Sequence, residues 1–174
     1  TDIKALLRKI KDRWPDINDE DEADLRTELA KVSVLTPAAA RDAVLRLEKA
    51  HGRRRDWVWA RLGLSPLASV LSPLAKLASA TTLAIGGGTP DEAARVYVER
   101  GWQADAASWE AVAMSPSADE RLIGDIVRTM LLPWLDDSAR ALQGAIEREP
   151  LPSAAKQPAV SASDDGCVVF VDGL

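Results

Sequence analysis

The residues able to do chemistry fall into three short stretches. The first is His51-Gly52-Arg53-Arg54-Arg55-Asp56-Trp57-Val58-Trp59-Ala60-Arg61, which interleaves guanidinium groups with indoles. Guanidiniums on phosphates and a Trp against a base would make this a nucleic-acid face, carried by Arg53, Arg54, Arg55 and Arg61. The same residues also suit a helix start, with Trp57 or Trp59 turned inward and the arginines solvated or paired with nearby acids. Three arginines on an acidic chain favour this second reading. The second stretch, Asp16 to Asp24, carries six acids in nine residues. A calcium loop would want glycine at its bend and alternating oxygen donors, and neither is clear. A loop followed by an acid-rich first helical turn, favoured by the helix dipole, explains the run more simply. The third, Gly86-Gly87-Gly88, precedes a helix start as a phosphate cradle would. It leads into Thr89-Pro90-Asp91-Glu92 rather than Gly-Lys-Ser/Thr, and acids in that first turn would repel a phosphate. It reads as a helix–helix joint. His51 has no acid or nucleophile beside it in sequence and reads as a helix-end residue.

Composition narrows the chemistry further. The net charge is −5, so nothing in the overall balance draws the chain toward nucleic acid. One Cys and one His exclude an internal disulfide framework and any Cys/His zinc cluster within these 174 residues. A reducing, cytoplasmic setting is expected. The first ten residues mix Lys and Arg with short apolar pairs and carry no secretory pattern. Hydrophobic residues make up 47% of the chain, enough for an ordinary core, and six of its eight aromatic rings are Trp.

The elements that must position these residues are nearly all helical. Residues 2–13 place Ile3, Leu6, Leu7 and Ile10 on one face of an amphipathic helix ending before Trp14-Pro15. A second helix is expected over about 20–32, with Leu25 and Leu29 inward. Ser/Thr-Pro pairs at Thr36, Ser65, Ser72, Thr89 and Ser115 signal helix starts, two of them with capping boxes, Thr89 with Glu92 and Ser117 with Glu120. So many starts predict numerous short helices. Ala40, Ala43, Val44 and Leu47 form the stripe of the third helix, which Gly52 ends.

Residues 64–85 are apolar enough to raise a membrane span. Lys76 near the centre, together with Pro66 and Pro73, points instead to a buried core helix, or two joined at Pro73. Val96 and Tyr97 pack the next helix, and Gly101 ends it. Trp102, Ala106, Trp109 and Ala113 recur at helical spacing, a stripe expected in the core. Leu122, Ile123, Ile126, Val127, Met130 and Leu131 mark the most buried helix, which Pro133 breaks or restarts before a last helix to about Arg148. The expected fold is therefore an all-α bundle of short helices over residues 1–148. A Pro/Ser/Ala-rich linker follows at 149–166, and a strand-like tail at 167–174. That tail, Cys167-Val168-Val169-Phe170-Val171-Asp172-Gly173-Leu174, reads as a strand buried on both faces, and nothing upstream supplies it with a neighbour. The chain is expected to be the front of something longer.

Two stretches resemble the PglZ family of the bacterial phage-exclusion (BREX and phage growth limitation) defence systems. Leu132-Pro133-Trp134-Leu135-Asp136, with its helix through Gln143, is similar to the Pro-Trp-Leu segment ahead of the family's catalytic core. Residues 167–174 look like the opening strand of that core, and Tyr97 to Trp102 with Asp105 looks like the helical region before it. PglZ cores resemble the alkaline phosphatase superfamily. The resemblance implies that Asp172 is the first ligand of a divalent, zinc-like metal in a phosphatase or phosphodiesterase whose other ligands and nucleophile follow Leu174. Residues 1–174 would then hold no catalytic residue and no cofactor of their own. Their implied role is a scaffold that docks other defence-system proteins or positions the core. Two other readings stand beside it: DNA binding by the Arg53–Arg61 face, and a homo-oligomer formed through a Trp-bearing face. No membrane partner is expected.

Overall fold

The computed structural model of the chain describes residues 14–86 and 88–150. The expected helix at 2–13, the expected linker beyond Pro150 and the tail with Asp172 lie outside them. The described residues form α1 (Pro15–Val32), α2 (Pro37–His51), a 3₁₀ turn (Gly52–Asp56), the single turn α3 (Val58–Arg61), α4 (Pro66–Ala80) and α5 (Pro90–Val96). A π turn (Tyr97–Gly101) carries α5 into α6 (Trp102–Ala113), and α7 (Glu120–Arg148) completes the set. No strand occurs among the described residues, and the all-α expectation holds for them.

The middle of the bundle is α4, whose Leu67, Ala68, Val70, Leu71, Leu74, Leu77 and Ala78 are buried around most of its circumference. A helix apolar on nearly every side is stable only when enclosed. Here α2 and α6 pack most extensively on α4, with α1 and α7 also against it. Leu25 and Leu29 of α1, Ala40 and Val44 of α2, and Ile123, Ile126 and Met130 of α7 complete one continuous core. Each fully buried Leu or Ile contributes roughly 1.5–3 kcal/mol. Lys76 points outward to Glu110 of α6 at 2.8 Å. No helix among the described residues is long and apolar enough to cross a membrane.

Several boundaries differ from expectation, for physical reasons. The acid run is helix throughout, because α1 begins at Pro15 in the first helical position. Pro73 and Pro133 both sit inside unbroken helices. An interior Pro costs about 3 kcal/mol. At Pro133, buried groups on either side hold the helix straight through: Met130 and Trp134 lie in the core, and the Trp134 indole donates to the Leu83 carbonyl at 2.8 Å. The last helix is consequently 29 residues long, not one of many short ones. Ser115-Pro116 leads only into a turn, and Asp119 rather than Ser117 stands at the N-cap of α7. Gly101 does not end a helix; it lies within the π turn, where a Cβ would fall 2.5 Å from the Ile85 side chain. Three start signals act as read. Thr36 accepts from the Ala39 N–H, Thr89 and Glu92 form a reciprocal capping box, and Pro66 opens α4.

The largest departure concerns α6. Its buried residues are Ala104, Ala107, Ser108 and Ala111, and the Trp stripe lies on the opposite side, with Trp102 50% and Trp109 75% exposed. Small side chains let α6 approach α4 closely, and this outweighs the larger transfer energy of indoles.

Candidate functional site

Local geometry explains what became of the basic-aromatic segment. The single turn α3 ends at Gly63, whose φ of 73° is the left-handed conformation that glycine adopts freely. The Leu64 N–H bonds the Trp59 carbonyl at 2.8 Å and the Gly63 N–H bonds the Ala60 carbonyl at 3.0 Å, the two bonds of a Schellman cap. This cap delivers Leu64 and Ser65 to α1. There the Asn18 amide donates to the Leu64 carbonyl at 2.8 Å, and the Ser65 hydroxyl donates to Asn18 Oδ1.

Arg54 enters the same knot and is only 3% exposed. Its Nη2 donates to Glu22 Oε1 at 2.7 Å and to Asn18 O and Oδ1 at 3.2 Å, while Nη1 donates to the Asp21 carbonyl at 3.2 Å. The guanidinium carbon lies 5.7 Å from the centroid of the Trp57 ring. Glu22 does a second job: its carboxylate accepts from the Leu67 N–H at 3.0 Å and the Ala68 N–H at 3.4 Å. It therefore caps the first turn of α4 from 45 residues away, where Ser65 makes no side-chain cap of its own. Arg55 pairs with both oxygens of Glu48 and donates to the Ala68 carbonyl at 3.3 Å. Its pKa is raised, chiefly by the Glu48 hydrogen bonds and against the effect of burial. Of the four arginines, Arg53 and Arg61 stand exposed at the surface. The structure thus pairs two of the four candidate phosphate ligands with acids, as the favoured reading of the segment has it: Arg54 in the interior and Arg55 half-buried. A second charged joint ties α1 to α7: Arg26 grips Asp119 with two bonds of 2.7 and 2.8 Å. That joint raises the arginine's pKa.

An apolar concavity lies elsewhere. The loop after α4 bends Ile85 over α7, its N–H bonded to Ser138 Oγ at 2.9 Å. Opposite, Pro90, Ala93 and Ala94 of α5 and Tyr97 of the π turn form a wall; Trp134, Leu135 and Leu142 of α7 form the other. Between them opens an apolar groove of about 410 Å³. Leu135 and Leu142 are each 40% exposed and Tyr97 43% exposed, so the groove's sides face solvent. The Tyr97 hydroxyl donates to Asp105 at 2.8 Å, which raises its pKa, with burial and the carboxylate's charge adding to the effect. Sequence periodicity placed Tyr97 in a helix interior; it lines a groove edge instead, and Ala93 takes the buried position.

Such a surface binds by shape and area. Among the described residues no group of three His, Cys, Asp or Glu side chains is arranged to hold a metal ion. Asp172, the one expected ligand, lies outside them. No family model matches the chain, and neither a curated protein nor a solved structure matches it.

Proposed function

We propose that the chain is a helical scaffold of a PglZ-like phage-defence protein, and that its groove seats the phosphatase-like core expected after residue 166. The observation that carries this reading is the groove itself, placed along the second half of α7. That helix leads directly into the linker at 149–166. Leu142 sits six residues before Arg148, about 9 Å along the helix axis. A linker of eighteen residues would have a root-mean-square reach of about 23 Å as a flexible coil and span about 56 Å as polyproline II. Either reach would tether the following domain near the groove, ahead of any separate subunit. The core's metal chemistry, with Asp172 as first ligand of a zinc-like ion, belongs to residues past this bundle.

Two measurements test the reading. The coding frame beyond Leu174 is expected to supply Asp and His residues at strand ends and a Ser or Thr nucleophile; a stop codon there would remove the kinship. With that extension expressed, amide exchange along 90–97 and 134–142 is expected to slow relative to residues 1–174 alone. Unchanged exchange would leave the groove without its proposed occupant. Metal-dependent hydrolysis of a phosphate ester by residues 1–174 alone would overturn the non-catalytic assignment.

A further inference from the structure

The outward face of α6 carries information that the groove does not use. Trp102, Ala106, Trp109 and Ala113 lie within about 60° of one another around the helix, opposite the buried Ala104, Ala107, Ser108 and Ala111. All four are exposed. Their spacing is four, three and four residues, which reads the same in both directions. Reversing the order exchanges large for small. An antiparallel copy of the helix therefore sets Trp102 against Ala113 and Trp109 against Ala106, and each contact occurs twice about a two-fold axis. Facing positions that alternate large and small are what lets two helices interdigitate at a separation of 8–10 Å. A parallel pairing would instead collide Trp with Trp.

We infer that this face is a self-complementary interface through which two copies of the chain associate, α6 against α6, antiparallel. Closed two-fold pairing of like surfaces is the commonest form of soluble assembly. Area also favours a weak pair. Indoles present about 150–250 Å² each, so two partly exposed ones with Val98 and Val112 beside them supply less than the roughly 800 Å² per partner of a standard interface. The flanks are not attractive in this register: Glu110 of one copy faces Asp105 of the other. Each already has a partner within its own chain, Lys76 and Tyr97. Association is thus driven by the rings and strengthened by salt, the reverse of a nucleic-acid contact.

Sedimentation equilibrium of the full 174-residue chain across micromolar to millimolar concentration tests the inference. The expected result is a reversible monomer–dimer equilibrium that tightens as salt is added. Trp109→Ala is expected to weaken it by about tenfold or more, and Ala106→Trp to abolish it. The decisive variant carries both changes, W109A with A106W. It restores large-against-small at both layers and is expected to dimerise again. All substituted side chains are exposed, so circular dichroism should show each variant folded. A chain monomeric at millimolar concentration would overturn the inference. So would a dimer indifferent to Ala106→Trp, or one that the double variant fails to restore. A dimer lost on Leu142→Glu but kept in Trp109→Ala would place the contact in the groove and overturn it equally.

Discussion

The two ends of α4 solve opposite problems. At its start, Asn18, Glu22, Arg54 and Ser65 bring charge into the interior and pair it, all but Arg54 Nε, which makes no hydrogen bond and lies 3.8 Å from Asp21 Oδ2. Beyond its end, the loop through Ile85 opens an apolar groove that the bundle leaves uncovered. The first arrangement is directional: a carboxylate that must serve a guanidinium and two helix-terminal amides has one workable position. The second is tolerant, because apolar contact depends on area and shape alone. The contrast separates what fixes the bundle from what is left for a partner.

Breaking the polar end should have the largest effect. Arg54→Ala strands the Glu22 carboxylate in the interior, and Glu22→Ala strands the guanidinium and leaves the first turn of α4 uncapped. Each is expected to cost about 3–5 kcal/mol, read from urea unfolding. Replacing both partners by apolar residues of similar size, Glu22→Leu with Arg54→Met, should recover much of that loss, since no lone charge then remains. If either single change costs under about 1 kcal/mol, as for an exposed pair, the knot does not hold α4 in place. The same geometry bears on the arginine segment as a DNA face. Arg53→Ala and Arg61→Ala probe the surface, whereas any variant that removes Arg54 reports folding first.

At the open end the expectation is smaller. Leu142 is 40% exposed, so Leu142→Ala forfeits only part of a full leucine burial and should cost about 1–2 kcal/mol. A loss comparable to that of Arg54→Ala would show that the groove wall is core, and the contrast between the two ends would disappear.

Much of the bundle was legible because its signals are local. Thr36-Pro37, the Thr89–Glu92 box and the stripe from Leu122 to Leu131 each act over one or two turns, and each lies where periodicity puts it. What could not be read depends on distance. Nothing near Glu22 marks it among six acids as the cap of a helix 45 residues on. Likewise, α6 offers two faces, and hydrophobicity alone selects the Trp one. Only the closeness of α4 decides for alanine. The prolines misled for the same reason: the packing on either side of Pro133 that outweighs its local cost comes from other elements. The groove joins α5, the loop at Ile85 and α7, so no single stretch announces it.

The smallest expected effect sits on the groove's rim and asks whether that wall is formed in solution. Tyr97 is the chain's one tyrosine, so the phenolate absorbance band reports it alone. Its pKa is held above the usual 10.0, first by the hydrogen bond to Asp105, then by burial and the carboxylate's charge. A proton held more tightly in the folded than in the unfolded chain stabilises the fold fully below the unfolded value. That contribution is lost as pH rises through the folded value. The folded chain should therefore titrate at higher pH than the chain in denaturant, and Asp105→Ala should bring the two midpoints together. Asp105→Ala should lower stability at neutral pH only slightly: the contribution is fully present there, but it comes from a phenol that is 43% exposed and screened by solvent. Coincident midpoints in the unaltered chain would mean that Tyr97 is released from Asp105. The groove would then lack its fixed edge, while the knot at the other end of α4 would be untouched.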